Sequence, residues 1–515
     1  MVSEVGEVFI NEDGDISEQH LENGVKKHKD GVTVTAPVFM WLEAIDLIFA
    51  KLSRVVSLSS VKSISGCGQQ HGTVYWNRKA SSFLSCLDFK KSLKQNLQDA
   101  FSTTDSPIWM DSSTSEECEL MELRVGGAWE LCATTGSRAF HRFSGNQIMK
   151  IYRKKREVFD DTDRISLVSS FVASVLCGKF VDIDLGDACG MNLLDVRLKR
   201  WSAKCLNAVV DGEVSSCNAL LEKLGTPVAS NSVVGTVSEY FYKKYGLSSS
   251  CEVVAFTGDN LSSLAGLCLQ PGDVAISLGT SDTVLFASKD YAYALEGHFF
   301  RNSVNPDDYM GYLLFSFKNG SLTRDRIRRS VNAANWDEFT ALVKQAPVGN
   351  GGNIGFYFDD NEIIPRIKRS DYRFDSSKNP VAKFSRATEA RAVLEHQSLA
   401  KRLHAENLGN TFKHRGKILI TGGASSNKII AQMLADVFNS DVFTIESADS
   451  AALGGALRAR SVSSYYNADY FSISSSAVKK RCVASPVKEN VEVYNKQLIE
   501  YAKLEEIITR DALVF

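Results

Sequence analysis

One stretch of the chain, residues 417–438, constrains the fold more than any other. Lys417-Ile-Leu-Ile-Thr-Gly422-Gly423-Ala-Ser-Ser-Asn427 is a short β-rich run that ends in paired glycines. It opens onto a segment in which Ile429, Ile430, Met433, Leu434, Val437 and Phe438 recur at helical spacing. Strand, glycine turn and helix in that order belong to an α/β domain, whose ligands sit beyond the strand ends. The same order recurs early in the chain. Residues 38–49 read as an amphipathic helix and 61–64 as a strand, followed by the turn Gly66-Cys-Gly-Gln-Gln-His71-Gly72.

Residues 273–286 read as two strands joined by the tight turn Gly279-Thr280-Ser281-Asp282. The middle, up to about residue 270, alternates helical stretches with short strands and has no long linker. The uncharged run 165–178 is too short to span a bilayer and reads as a buried helix. Residues 5–15 suggest a hairpin, and 349–353 a flexible glycine loop. Residues 451–456 supply small side chains for close helix packing, and 494–508 a terminal helix closing a second domain. A chain of 515 residues, 44% hydrophobic, can bury the cores of two such domains.

Charge narrows the function. With 59 basic against 61 acidic residues, nothing favours a nucleic-acid or membrane-surface partner. The 11 cysteines form no C-x-x-C pair and no zinc spacing, which predicts free thiols in a reducing compartment. Residues 1–15 are acidic and lack an apolar signal segment, so the expected location is cytoplasmic. The chain has no Walker A loop, protein-kinase catalytic loop, H-E-x-x-H or G-x-S-x-G.

Several residues are candidates for chemistry, each with a plainer alternative. The Gly279-Thr280 turn can offer amides and a hydroxyl to phosphate oxygens; taken alone, an ordinary hairpin turn is the simpler account. Gly422 and Gly423 can admit a nucleotide at a helix start, or simply join a strand to a helix. Asp259, followed by Asn260, stands at a strand end where a carboxylate can take a proton from a hydroxyl; a helix cap explains it equally well. His71 lies among polar residues and glycines, a setting for a polyhydroxy ligand rather than for a core. Arg142 is either an exposed charge or a sugar contact.

Taken together, these segments resemble the FGGY family of carbohydrate kinases, on the side of its animal-type xylulose kinases. The matching strings are Ser65-Gly-Cys-Gly-Gln-Gln-His-Gly72, Pro107-Ile-Trp-Met-Asp-Ser-Ser-Thr114, Arg142-Phe-Ser-Gly-Asn-Gln147 and Gly190-Met-Asn-Leu-Leu194. Phe256-Thr-Gly-Asp-Asn260, Ser277-Leu-Gly-Thr-Ser-Asp-Thr283, Gly349-Asn-Gly-Gly-Asn353 and Thr421-Gly-Gly-Ala-Ser-Ser-Asn427 follow in order.

The resemblance implies a two-domain actin-like ATPase (ribonuclease H-like) fold, divided as 1–269 and 270–515, with a cleft between the domains. It implies phosphorylation of D-xylulose by ATP with Mg2+, so that the partners are a sugar and a nucleotide, in a monomer or homodimer. Carried over residue by residue, Asp259 is the catalytic base, and His71, Arg142, Asp259 and Asn260 hold the sugar. Gly279 and Thr280 face the ATP phosphates, Trp336 the adenine side, and Gly422, Gly423 and Asn427 the nucleotide pocket. The strings depart from the family pattern at the start. The family opens with a strand and a phosphate hairpin whose carboxylate helps hold magnesium, and Met1 falls after that segment. The retained Asp259, Gly279 and Gly422 favour a natural start further upstream over a short form that binds sugar with little or no turnover; a kinase for another polyol is the remaining alternative.

Overall fold

The computed structural model describes residues 24–313, 317–362, 365, 367–407, 416–445, 449–466 and 469–512. The hairpin expected at 5–15 lies outside them.

The second half is organised by one seven-stranded sheet. Its order is Gly297–Arg301, Tyr309–Leu313, Asp282–Ser288, Val274–Leu278, Ile418–Thr421, Val442–Ile445 and Lys480–Ala484. Val274–Leu278 pairs antiparallel with Asp282–Ser288 and parallel with Ile418–Thr421, which pairs parallel with Val442–Ile445. This is the mixed α/β sheet that the fold expectation required.

Strand alternation builds a core on each face of that sheet. Val274, Ile276 and Leu278 pack with Val393 and Leu394 of the helix Arg386–Asn407 and with Leu434 of the helix Lys428–Phe438. Ala275 and Leu419 point the other way, to Leu261 and Leu264 of the helix Asp259–Leu267. The expected terminal helix runs Lys488–Ala512, with Tyr494, Leu498, Tyr501, Leu504 and Ile508 buried in the first of these cores.

Sheets are shorter in the first half: none described there exceeds three strands. Ser63–Ile64 runs parallel to Glu252–Val254, and Cys67–Gly68 runs parallel to Thr257–Gly258. The helix Val38–Val55 lies where 38–49 predicted it and buries Val38, Leu42 and Ile45.

Two expectations need correction. The run 165–178 is not one helix: Thr162–Leu167 is a strand paired with Thr73–Asn77, and the helix Val168–Cys177 follows. A short apolar run does not by itself separate a buried strand from a buried helix. Residues 349–353 are not a loose loop either. Gly349, Asn350 and Gly351 take left-handed conformations in the packed turn Val348–Gly352. Glu395 accepts from the Gly349 N–H at 3.0 Å, which fixes that turn from beneath.

Candidate active site

The parallel pairing of Cys67–Gly68 with Thr257–Gly258 decides where the first candidates fall. Gly68 is opposite Gly258, so Gln69-Gln70-His71 and Asp259-Asn260 leave adjacent strand ends on the same side. Residues 190 positions apart in sequence thereby share one wall.

His71 is buried in a left-handed backbone conformation, φ +72°. That geometry is costly for a non-glycine residue, and several contacts hold it. Ser144 Oγ donates to the His71 carbonyl at 3.0 Å, and the imidazole stacks on Phe143 with centroids 4.5 Å apart. His71 Nδ1 lies 2.9 Å from the Gly190 carbonyl. A carbonyl only accepts, so Nδ1 carries the proton. Burial, reinforced by the Arg142 charge, holds the ring's pKa down to about 3. The ring is therefore neutral, and its Nε2 is an acceptor. Arg142 itself is half-buried.

Asp259 begins the helix Asp259–Leu267, and Gly258 occupies the cap position. The helix-cap alternative for Asp259 is thus not realised. Its Oδ1 accepts from the next residue, the Asn260 N–H, at 2.8 Å. Burial raises its pKa above the ordinary carboxylate value, while the backbone N–H groups of Asn260 and Gln70 pull it back. A carboxylate so placed is a stronger base than one in water. Asn260 Nδ2 donates to Gln70 Oε1 at 2.7 Å.

Behind this wall lies a set of groups that the sequence reading missed. Asp187 is buried, accepts from Ser169 Oγ at 2.6 Å, and is pushed well above the usual carboxylate range by burial and by Asp184. His298, from the seven-stranded sheet, packs against Phe143 at 5.2 Å and approaches the Cys189 carbonyl through Nε2 at 3.0 Å. Arg458, from the helix Ser450–Val462, donates to the carbonyls of Ser230 and Ala255. No motif marks these residues; only their contacts do.

The nucleotide candidates gather at neighbouring strand ends of the large sheet. Ser277 pairs with Thr421, so the 279–281 and 422–423 turns emerge side by side. Gly422 has φ +85°, and a Cβ there would lie 2.5 Å from the Leu278 carbonyl. Glycine is required at that contact. Around Gly423 the same test meets nothing within 4 Å. Thr280 is exposed, and the Ser321 N–H closes the turn by donating to the Gly279 carbonyl at 3.1 Å.

Beneath the turn Asp282 is fully buried, with Arg324 at 2.9 Å and Lys401 at 2.8 Å. These cations hold its pKa below the usual value against the cost of burial. Gln397 extends the network, accepting from Arg324 and donating to the Asn319 and Gly320 carbonyls.

The helix Ser321–Ser330 leads away from the turn toward Trp336. Arg328, about 11 Å along its axis from Ser321, places its guanidinium 5.6 Å from the Trp336 ring. Trp336 is 42% exposed. Asn427 caps the helix Lys428–Phe438 through its Oδ1, which accepts from Ile429 N at 2.9 Å. The arrangement brings Gly279, Thr280, Gly422 and Gly423 together, with Asn427 four residues beyond and Trp336 at the far end of a helix.

The two walls are joined by one close helix crossing. Gly266 packs on the Ser450 carbonyl and Gly454 on the Ser262 carbonyl, and a Cβ at Gly455 would lie 2.8 Å from the Gly66 Cα. The small residues expected at 451–456 serve this contact.

Comparison with known proteins agrees with this layout. Residues 102–266 match the N-terminal domain of the FGGY family of carbohydrate kinases, and residues 274–461 its C-terminal domain. The chain is 45% identical to "Xylulose kinase" of Mus musculus, over 98% of this chain and 90% of the relative. It is 42% identical to "Xylulose kinase 2" of Arabidopsis thaliana, over 88% of this chain and 82% of the relative. Among solved structures, xylulose kinase from Rhodospirillum rubrum superposes with a TM-score of 0.74 at 16% identity, covering 94% of this chain and 92% of that one. Plasmodium falciparum glycerol kinase with ADP gives a TM-score of 0.72 at 15% identity, covering 97% and 92%. At those identities the likeness is one of fold: the two-domain actin-like ATPase fold. Both halves and nearly the whole length agree, and the chain belongs to the FGGY family of carbohydrate kinases.

Proposed function

We propose that this protein is a D-xylulose kinase, transferring the γ-phosphoryl group of ATP to the sugar's terminal hydroxyl to give D-xylulose 5-phosphate and ADP. The observation that carries the reading is the sugar wall: a base, Asp259, followed by Asn260 on one strand end and His71 just beyond the paired strand end, with the Arg142 charge close to the His71 ring. Hydroxyls need acceptors, and the ketose carbonyl needs a donor, which Arg142 supplies. Support for xylulose in particular comes from the names of the relatives at 45% and 42% identity.

In this reading Asp259 takes the proton of the terminal hydroxyl as that oxygen attacks the γ-phosphorus. The bond to the β–γ bridging oxygen breaks, and ADP leaves with the electron pair. His71, Arg142 and Asn260 fix the sugar so that the oxygen is in line. The turns at Gly279, Thr280, Gly422 and Gly423 cradle the phosphates through backbone N–H groups. Asn427 borders the nucleotide pocket, and Trp336 flanks the adenine. Mg2+ bound with ATP would supply positive charge at the phosphates. Among the described residues no three His, Cys, Asp or Glu side chains gather to hold a metal on their own.

Residues 1–269 form the sugar-binding domain and 270–515 the nucleotide-binding domain in this proposal, a division supported by the family matches ending at 266 and starting at 274. A cytoplasmic location fits a sugar kinase. Among the described residues no helix is long and apolar enough to cross a membrane. The test is coupled ADP release with MgATP, comparing D-xylulose with glycerol, gluconate and other pentuloses. Fastest turnover with D-xylulose is expected; sugar binding without turnover, or a preference for another polyol, overturns the reading.

A further inference from the structure

We propose that Gln70 is a positioning residue for the sugar. It holds the Asn260 side chain so that the Asn260 carbonyl oxygen, rather than its NH2 group, faces the cleft. The proposal rests on the reading above that Asn260 touches the sugar.

Gln70 is 5% exposed and immediately precedes His71. Its Oε1 accepts from Asn260 Nδ2 at 2.7 Å. A carboxamide carries its donors and its acceptor on opposite ends of one plane, so engaging one end turns the other outward. Asn260 is exposed, one N–H of its side-chain amide is held by Gln70, and its backbone N–H is held by Asp259. The end left for the cleft is Oδ1.

Packing decides which way Gln70 itself points. A Cβ at Gly258 would lie 2.5 Å from Gln70 Cγ, 3.0 Å from Gln70 Nε2 and 2.7 Å from Asp187 Oδ1. The NH2 end of Gln70 and the Asp187 carboxyl thus flank the same glycine, donor on one side and oxygen on the other. Neither Gln70 Nε2 nor Asp187 Oδ1 has a hydrogen-bond partner among the described residues. Turning the Gln70 amide over would bring its oxygen toward the Asp187 oxygen and point two NH2 groups at each other at Asn260. Gly258 admits this arrangement because it has no side chain to displace either neighbour.

The consequence is a wall of three acceptors, the Asn260 oxygen, the Asp259 carboxylate and His71 Nε2, relieved by the cation of Arg142. Such a wall selects a ligand with free hydroxyls at matching places. A sugar analogue with hydrogen in place of one of those hydroxyls leaves a desolvated acceptor unpaired.

Calorimetry on the full chain tests this independently of turnover, reading the Kd for D-xylulose and for ADP. Gln70→Met keeps the volume and removes the acceptor. It is expected to weaken D-xylulose binding about fivefold to tenfold, to leave ADP binding unchanged, and to cost nothing further in an Asn260→Ala background. Equal losses in the two backgrounds, or parallel weakening of ADP, overturn the proposal. Asn260→Asp sets a carboxylate oxygen against Gln70 Oε1 and is expected to weaken D-xylulose binding as much as Asn260→Ala. Affinity within about threefold of the parent would overturn the role assigned to the Gln70 contact. Unchanged sugar affinity in Asn260→Ala instead sinks the assignment of Asn260 to the sugar, a separate result.

Discussion

The proposed sugar wall and the proposed nucleotide side of this kinase are stiffened with different materials. On the proposed sugar wall the groups assigned to the ligand are side chains, and they are set in advance: His71 by Gly190, Ser144 and Phe143, and Asn260 by Gln70. On the nucleotide side the facing groups are turns of backbone with open space around Gly423, and rigidity is supplied from below by Asp282, Arg324 and Lys401. Recognising a sugar's hydroxyls demands a donor and acceptor pattern, which only oriented side chains provide. Phosphates demand N–H groups and close approach, which glycine turns provide. On the proposed reading, each half has stiffened the part that would meet its ligand.

Substitutions can break this contrast. Asp282→Ala leaves two cations buried without their carboxylate and should lower stability by about 3–5 kcal/mol, read in a denaturant titration. A loss below about 1 kcal/mol would mean that the phosphate turn does not depend on its foundation. Asp259→Asn should cut turnover about a thousandfold while calorimetric D-xylulose affinity stays within about threefold; unchanged turnover would remove Asp259 from the chemistry.

His71→Phe keeps the stack on Phe143 but loses Nε2. It should weaken D-xylulose about tenfold and leave ADP alone. If both ligands weaken equally, the two sides are not separable. Trp336→Ala should do the reverse on a smaller scale, weakening ADP about threefold to tenfold with no effect on the sugar.

Acid sharpens the comparison further. His71 on the sugar wall and His396 on the nucleotide side are both buried, and each binds its proton only near pH 3, against an ordinary 6.5. The unfolded chain takes up those protons first, so their contribution to stability is intact above pH 6.5 and is lost as pH falls toward 3. His71→Phe should flatten part of the decline in melting temperature across that window. The acid limb of turnover should lie above the ordinary aspartate value because burial raises Asp259.

Legibility in the sequence followed chemistry that is local. The strand–glycine–helix run at 417–438 was readable because strand, turn and helix each leave their own periodicity. Asp259, His71 and Gly422 were singled out because strings around them carried a family resemblance. Asp187, His298 and Arg458 were not, since a buried polar residue is identified by partners far away in sequence. Gln70 stood in a quoted string without a role, because its partner is Asn260, 190 residues on. The run 165–178 was misread because a strand entering a buried helix shows no change in polarity.

The crossing of the helix Asp259–Leu267 with the helix Ser450–Val462 bears on how the protein is made. The segment carrying Asp259 leaves the ribosome long before its neighbour at Gly454 and Gly455 exists. His298 and Arg458, which back the sugar wall, also arrive late. A nascent chain released at residue 269 would carry the base and His71 but expose the apolar and glycine surface meant for the later helix. Synthesis therefore completes the proposed sugar site only when the far end of the second half has been translated.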